Sequence, residues 1–191
     1  AVIEVGGATA EAYPAGMSEA PRRASYADVQ AAPADKVAEV VDGVLHVSPR
    51  PSPTHARAAS RLLADLSSRL DPRGAGGDRG DWILLFEPEL HLGEDIVVPD
   101  LAAWRRERLA TWPTEAYFTV APDWVCEVLS PATRKLDRTR KLTVYARAGI
   151  GHAWLVDPDA RTVEVLRLHE GRWLMLGTWV DDAQVGLEPF A

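Results

Sequence analysis

Two carboxylates stand in strand-like sequence where burial is costly. Asp100 follows Pro99 at the end of the run Ile96–Asp100, and Glu127 is central in Trp124-Val125-Cys126-Glu127-Val128-Leu129. A charge buried in an apolar run needs a partner. That partner is either an arginine in a salt bridge or a cation. Two such carboxylates, on strands separated by one loop, suit a shared divalent cation with oxygen ligands. A third feature is basic. Between Arg134 and Arg147 the bases Arg134, Lys135, Arg138, Arg140, Lys141 and Arg147 face only one acid, Asp137. Lys141 lies four residues after Asp137 and four before Tyr145, so the three share a helical face. That face borders the apolar stripe of Leu142, Val144, Tyr145 and Ala148, which leans Lys141 toward a sheet. Arg134, Lys135, Arg138 and Arg140 form either a solvated face or a rim that binds nucleic-acid phosphates.

The elements that position these residues follow from local signals. Ser25 with Asp28 resembles a capping box and opens a short helix that Pro33 stops. Val40–Val47 reads as a hairpin around Asp42-Gly43. Ser52-Pro53 opens the best helix, in which Ala59, Leu62, Leu63, Leu66 and Leu70 keep helical spacing. Asp71–Asp81 is a Gly-rich loop. Trp82–Leu92 and Ile96–Trp104 read as strands, and Arg105–Tyr117 as a charged surface loop. Trp124–Leu129 reads as a strand buried on both faces. Thr133–Ala148 is the second long helix, ending at Gly149. Three strands follow: His152–Val156, Thr162–Leu168 and Arg172–Val180. The order predicts an α/β (α+β) fold, a mixed β-sheet flanked by helices. Residues 1–24, rich in Ala, Gly and Pro, read as a flexible tail, and 25–191 as a single domain.

The whole chain sets bounds. Its 191 residues are 47% hydrophobic and 26% charged, which is globular composition. One cysteine, Cys126, excludes a disulfide framework and a multi-cysteine zinc site. Apolar runs such as Trp82–Phe86 are too short to cross a bilayer, so no membrane partner is expected. The N-terminal residues carry no secretory pattern, and the expected location is cytoplasmic. A net charge of −7 argues against a surface coated in bases, but it allows a local basic rim beside an acidic pocket.

An ordered set of motifs adds a resemblance. Glu39-Val-Val-Asp42-Gly43, Pro99-Asp100, Glu127-Val-Leu-Ser130-Pro131, Asp137-x3-Lys141-x3-Tyr145-x3-Gly149 and Trp154-Leu-Val-Asp157-Pro158 occur in turn. Together they resemble the Uma family of restriction-endonuclease-like proteins in the PD-(D/E)XK nuclease superfamily. The resemblance spans about Ser25 to Leu168 and implies a restriction-endonuclease-like core that hydrolyses DNA with Mg²⁺ or Mn²⁺. It implies that Asp100 and Glu127 hold the metal and that Glu39 joins them as a further ligand or supporting base. The superfamily's lysine position is occupied here by Leu129, and the resemblance implies that Lys141 supplies the cation from the following helix. Asp137 is then placed to steer the ammonium.

Other residues carry weaker signals. His55, at the start of the long helix, matches a histidine of the family and touches phosphate, supports the site or has no role. Glu87 alternates with apolar residues and is a further acidic candidate. Ser130 has no histidine placed to activate it and reads as a helix cap. Trp104 and Trp112, in or near the charged loop, are candidates to stack on bases. A nuclease cutting both strands suits a two-fold dimer, with apolar surface at Trp173 and Trp179. Two other functions fit part of the pattern: a nucleic-acid-binding module without turnover, and a metal-free two-carboxylate hydrolase.

Overall fold

Two prolines divide the apolar sequence between two sheets. The structure, a computed structural model, describes residues 22–71, 80–181 and 186–191. Nearly all of the proposed tail, and the heart of the Gly-rich loop, lie outside the described residues. Helix α1 (Tyr26–Gln30) starts at the Ser25/Asp28 capping box. Strands β1 (Lys36–Val41) and β2 (Val44–Pro49) form the hairpin, with Asp42 and Gly43 at positive φ in its turn. Helix α2 (Pro53–Leu70) is capped by the Ser52 side chain, which accepts from the His55 N–H at 3.3 Å.

Trp82–Leu92 is not one strand. It divides into β3 (Trp82–Phe86) and β4 (Leu90–Leu92), parted by Glu87 at φ 44° and by Pro88. Ile96–Trp104 likewise divides into β5 (Asp95–Val97) and β6 (Leu101–Arg105), with Val98-Pro99-Asp100 between them. Proline cannot donate to a ladder, so each break coincides with a change of sheet. Strands β7 (Trp124–Val128), β8 (His152–Asp157), β9 (Thr162–His169) and β10 (Arg172–Val180) complete the set.

Among the described residues the small sheet runs β2-β1-β5-β4 and the large one β10-β9-β8-β7-β6-β3. Only β7 and β8 pair in parallel within the large sheet, which makes it mixed. The fold is therefore α+β with a mixed sheet flanked by helices, and the second, antiparallel sheet is an addition to the sequence reading. No described helix is long and apolar enough to cross a membrane.

The core lies on both faces of the large sheet. Trp124, Cys126 and Val128 of β7 pack with α2 through Ala59, Leu62, Leu63 and Leu66. Val125 and Leu129 face the other side, with Tyr145, Val41 and Leu90. Strand alternation thus turns Glu127 away from Cys126 and toward Tyr145. Trp104 is fully buried and donates to the Val120 carbonyl, so it is core and not a base-stacking surface; Trp112 is exposed. Trp173 and Trp179 also pack against the core, and Leu174, Met175 and Val180 supply the exposed apolar surface of β10.

The second long helix is not uniform. Helix α3 (Arg134–Leu136), a π-helical turn (Asp137–Lys141) and α4 (Leu142–Arg147) follow one another without a gap. The widened turn buries both Asp137 and Lys141. Such turns are rare and frequent at functional sites.

Candidate active site

The connection from the small sheet to the large one brings the acidic residues together. Leu101 of β6 pairs with Cys126 of β7 in antiparallel register. One step further along that ladder stand Asp100 and Glu127, on the same face. Asp100 Oδ2 accepts from the Val128 N–H at 2.7 Å and lies 3.2 Å from His55 Nε2. The α2 cap therefore places His55 beside the Pro-Asp turn. Glu39 reaches the same region from β1, where its Oε1 accepts from the Val98 N–H at 2.8 Å.

Lys141 sits among these acids. Its Nζ is 2.9 Å from both Glu39 Oε1 and Glu127 Oε1, 3.3 Å from the Val98 carbonyl and 3.7 Å from Asp137 Oδ1. Tyr145 donates its hydroxyl to Glu127 Oε1. Glu39, Asp100, Glu127, Lys141, Asp137, His55 and Glu87 all line one cavity of about 290 Å³. Its lips are Ser48–Ser52 at the end of β2 and Ser130–Thr133 before α3. Ser130 holds its lip by hydrogen bonds to Thr133, but Thr133 is the N-cap of α3, so Ser130 braces the turn before the helix and does not cap it.

Burial and charge crowding set the electrostatics. Burial would lower the Lys141 pKa, but the Glu127 and Glu39 carboxylates outweigh it and hold the ammonium well above its ordinary value. Burial raises Glu127 well above the carboxylate range, with Lys141 opposing and Asp137, Asp100 and Glu39 adding to the rise. Asp137 is pushed up to about 6, mainly by burial against the opposing charge of Lys141. Its protonated form favours the fold. That contribution is present below the ordinary carboxylate pKa and is lost as pH rises through about 6. Glu87 is raised by burial and then by Asp100. For His55, burial opposes protonation, but the bond to and charge of Asp100 prevail and raise it.

The pocket gathers five carboxyl groups, Glu39, Glu87, Asp100, Glu127 and Asp137, with Lys141, His55 and Arg50 as its basic groups, and is rich in oxygen donors. Hard oxygen donors in such number fit a small divalent cation. Among the described residues no three His, Cys, Asp or Glu side chains stand ready as a metal cage.

The basic residues behave unevenly. Arg138 makes two 2.8 Å bonds to Glu164, and Arg134 pairs with Asp157 at 3.1 Å. Arg147 bonds Asp42 and Asp95. Lys135 and Arg140 are exposed. Arg50, which also lines the pocket, was not singled out by the sequence. Its only cue was its place between the β2 strand and the Ser52 cap.

The family model for Uma2, described as "Putative restriction endonuclease", matches residues 24–190. No match was found among curated proteins. Among solved structures, the chain is similar to the crystal structure of "a putative nuclease belonging to DUF820 from Anabaena variabilis ATCC 29413". The two share 23% identity over 88% of this chain and 91% of that one, with a TM-score of 0.71. At that identity the likeness shows a shared fold.

Proposed function

The chain belongs to the Uma2 family, and from that membership we propose that residues 25–191 form one PD-(D/E)XK-type domain that hydrolyses DNA phosphodiesters with Mg²⁺ or Mn²⁺. The observation that carries the reading is that Glu39 and Glu127, bonded to the buried Lys141 ammonium, share one cavity with Asp100. Asp100 and Glu127 would hold the metal. When bound, the ion supplies Lewis-acid polarisation of the phosphodiester and a more acidic water.

The protein's own groups do the rest. The Val128 N–H and His55 orient Asp100, and the Val98 N–H orients Glu39. Tyr145 fixes Glu127 by donating to Oε1. The Lys141 ammonium has three donors and three close acceptors: Glu39, Glu127 and the Val98 carbonyl. To reach substrate it exchanges its longest bond, to Val98 at 3.3 Å, for a phosphate oxygen. There it offsets the charge that grows in the transition state. Asp137 steers the ammonium, and Glu87 adds acidity at the Asp100 side.

Lys135 and Arg140 are exposed bases that would meet substrate phosphates, whereas Arg134 and Arg138 would first have to leave their carboxylates. Cytoplasmic DNA is the proposed substrate. A two-fold dimer through the exposed apolar surface of β10 would present one pocket to each strand of a duplex. The lysine already bonded between two carboxylates favours, as a second reading, a binding module without turnover.

The test is a gel assay of purified protein with single- and double-stranded DNA in Mg²⁺, Mn²⁺ or EDTA. Cleavage that appears with either metal and vanishes in EDTA is the expected result. Binding without cleavage in any metal selects the second reading.

A further inference from the structure

Three arginines of the α3–α4 segment are already neutralised, because Arg134, Arg138 and Arg147 each hold a carboxylate. Helix α2 is different. Its inner face is His55, Ala59, Leu62, Leu63, Leu66 and Leu70, packed on the large sheet. At 3.6 residues per turn, Arg57 and Arg61 fall on the opposite face, one turn apart. Both are exposed, and neither has an ion pair or hydrogen bond among the described residues. Arg50, on the pocket lip just before α2, donates a hydrogen bond to the Ala34 carbonyl, at 3.0 Å.

Direction matters as much as charge. Helical side chains lean toward the helix N-terminus. The N-terminus of α2 is the pocket end, where Ser52 and His55 line the cavity. Arg57 and Arg61, in the second and third turns of α2, therefore lean toward the end of the helix at which the pocket opens. The one acid of α2, Asp65, lies beyond them. Arg57 and Arg61, with no carboxylate partner among the described residues, and Arg50, whose charge also acts on Glu87 across the cavity, form a local positive track in a chain of net charge −7.

Resting on the nuclease reading above, we propose that a DNA strand leaves the pocket over the first turns of α2, with its phosphates held by Arg50, Arg57 and Arg61. The probes are a fluorescently labelled single-stranded DNA oligonucleotide and its duplex, measured by anisotropy in EDTA across a salt series. In EDTA the proposed chemistry is silent, so only binding is read.

The Arg57→Ala/Arg61→Ala variant is expected to bind more weakly. Its log-log salt slope should be shallower by about 1.4 on single strand, or about 1.8 on duplex, for two lost phosphate contacts. Arg172→Ala, an exposed arginine on the far edge strand β10, should leave the slope unchanged. Thermal melts establish that each variant is folded. An unchanged slope in the double variant, an equal loss per arginine in Arg172→Ala, or no binding by the wild type overturns the track. A wild type that cleaves with metal while the double variant binds DNA normally refutes the track and leaves the nuclease reading standing. Loss of binding in the double variant, beside a wild type that never cleaves, supports the track and refutes the catalytic reading.

Discussion

Replacing Lys141 with alanine should reduce cleavage by about a hundredfold or more, the usual consequence of losing a donor that meets transition-state charge. It should also destabilise the protein. Lys141 is 2% exposed and lies 2.9 Å from both Glu39 and Glu127, so its removal leaves buried carboxylates without their counter-charge. Breaking a buried pair in this way costs about 3–5 kcal/mol. A divalent cation should restore part of that loss, because it supplies positive charge to the same acids. Urea unfolding with and without Mn²⁺ measures this, and Mn²⁺ should stabilise the alanine variant more than the wild type. A variant with near-normal cleavage and no change in its response to Mn²⁺ would remove Lys141 from the site.

Asp100→Asn separates chemistry from folding. The asparagine carbonyl can still accept the Val128 N–H, which now lies 2.7 Å from Asp100 Oδ2. The charge that faces the buried His55 at 3.2 Å is lost, so stability should fall by about 1–3 kcal/mol, the scale of one charge-assisted hydrogen bond. Cleavage should fall about a thousandfold, equivalent to about 4 kcal/mol of lost metal-assisted stabilisation. Calorimetric titration with Mn²⁺ should show weaker binding in parallel. A variant that binds Mn²⁺ and cleaves like the wild type would show that Asp100 is not a ligand.

Much of the scaffold is legible in the sequence because its signals are local. The Ser52 cap, the Ser25/Asp28 box and the Asp42-Gly43 turn each satisfy or permit particular backbone groups, and all three are present. Pro88 and Pro99 also carry a signal, but the apolar residues on either side make each run look continuous. Only the ladder partners show that each run serves two sheets.

The π turn at Asp137–Lys141 leaves no mark on the periodicity, since the buried positions remain compatible with an ordinary helix. The ion pairs of Arg134 and Arg138 are invisible for another reason. Asp157 and Glu164 lie on β8 and β9, and only tertiary packing brings them alongside.

The candidate site divides in the same way. Asp100 and Glu127 stand out because a charge in an apolar strand demands a partner, and Lys141 because of its helical face. Glu39 carries no such local signal and enters through the ordered motif set, and His55 enters through its match to a histidine of the family. The lips at Ser48–Ser52 and Ser130–Thr133, and with them Arg50, emerge only when the cavity is seen whole.

The most direct measurement is the anomalous difference density of Mn²⁺ in crystals of the wild-type protein. The proposed site requires a peak within coordination distance of both Asp100 and Glu127, about 2.1 Å from an oxygen of each. A peak elsewhere on the chain, or none while Lys141 remains bonded to Glu39 and Glu127, would contradict it.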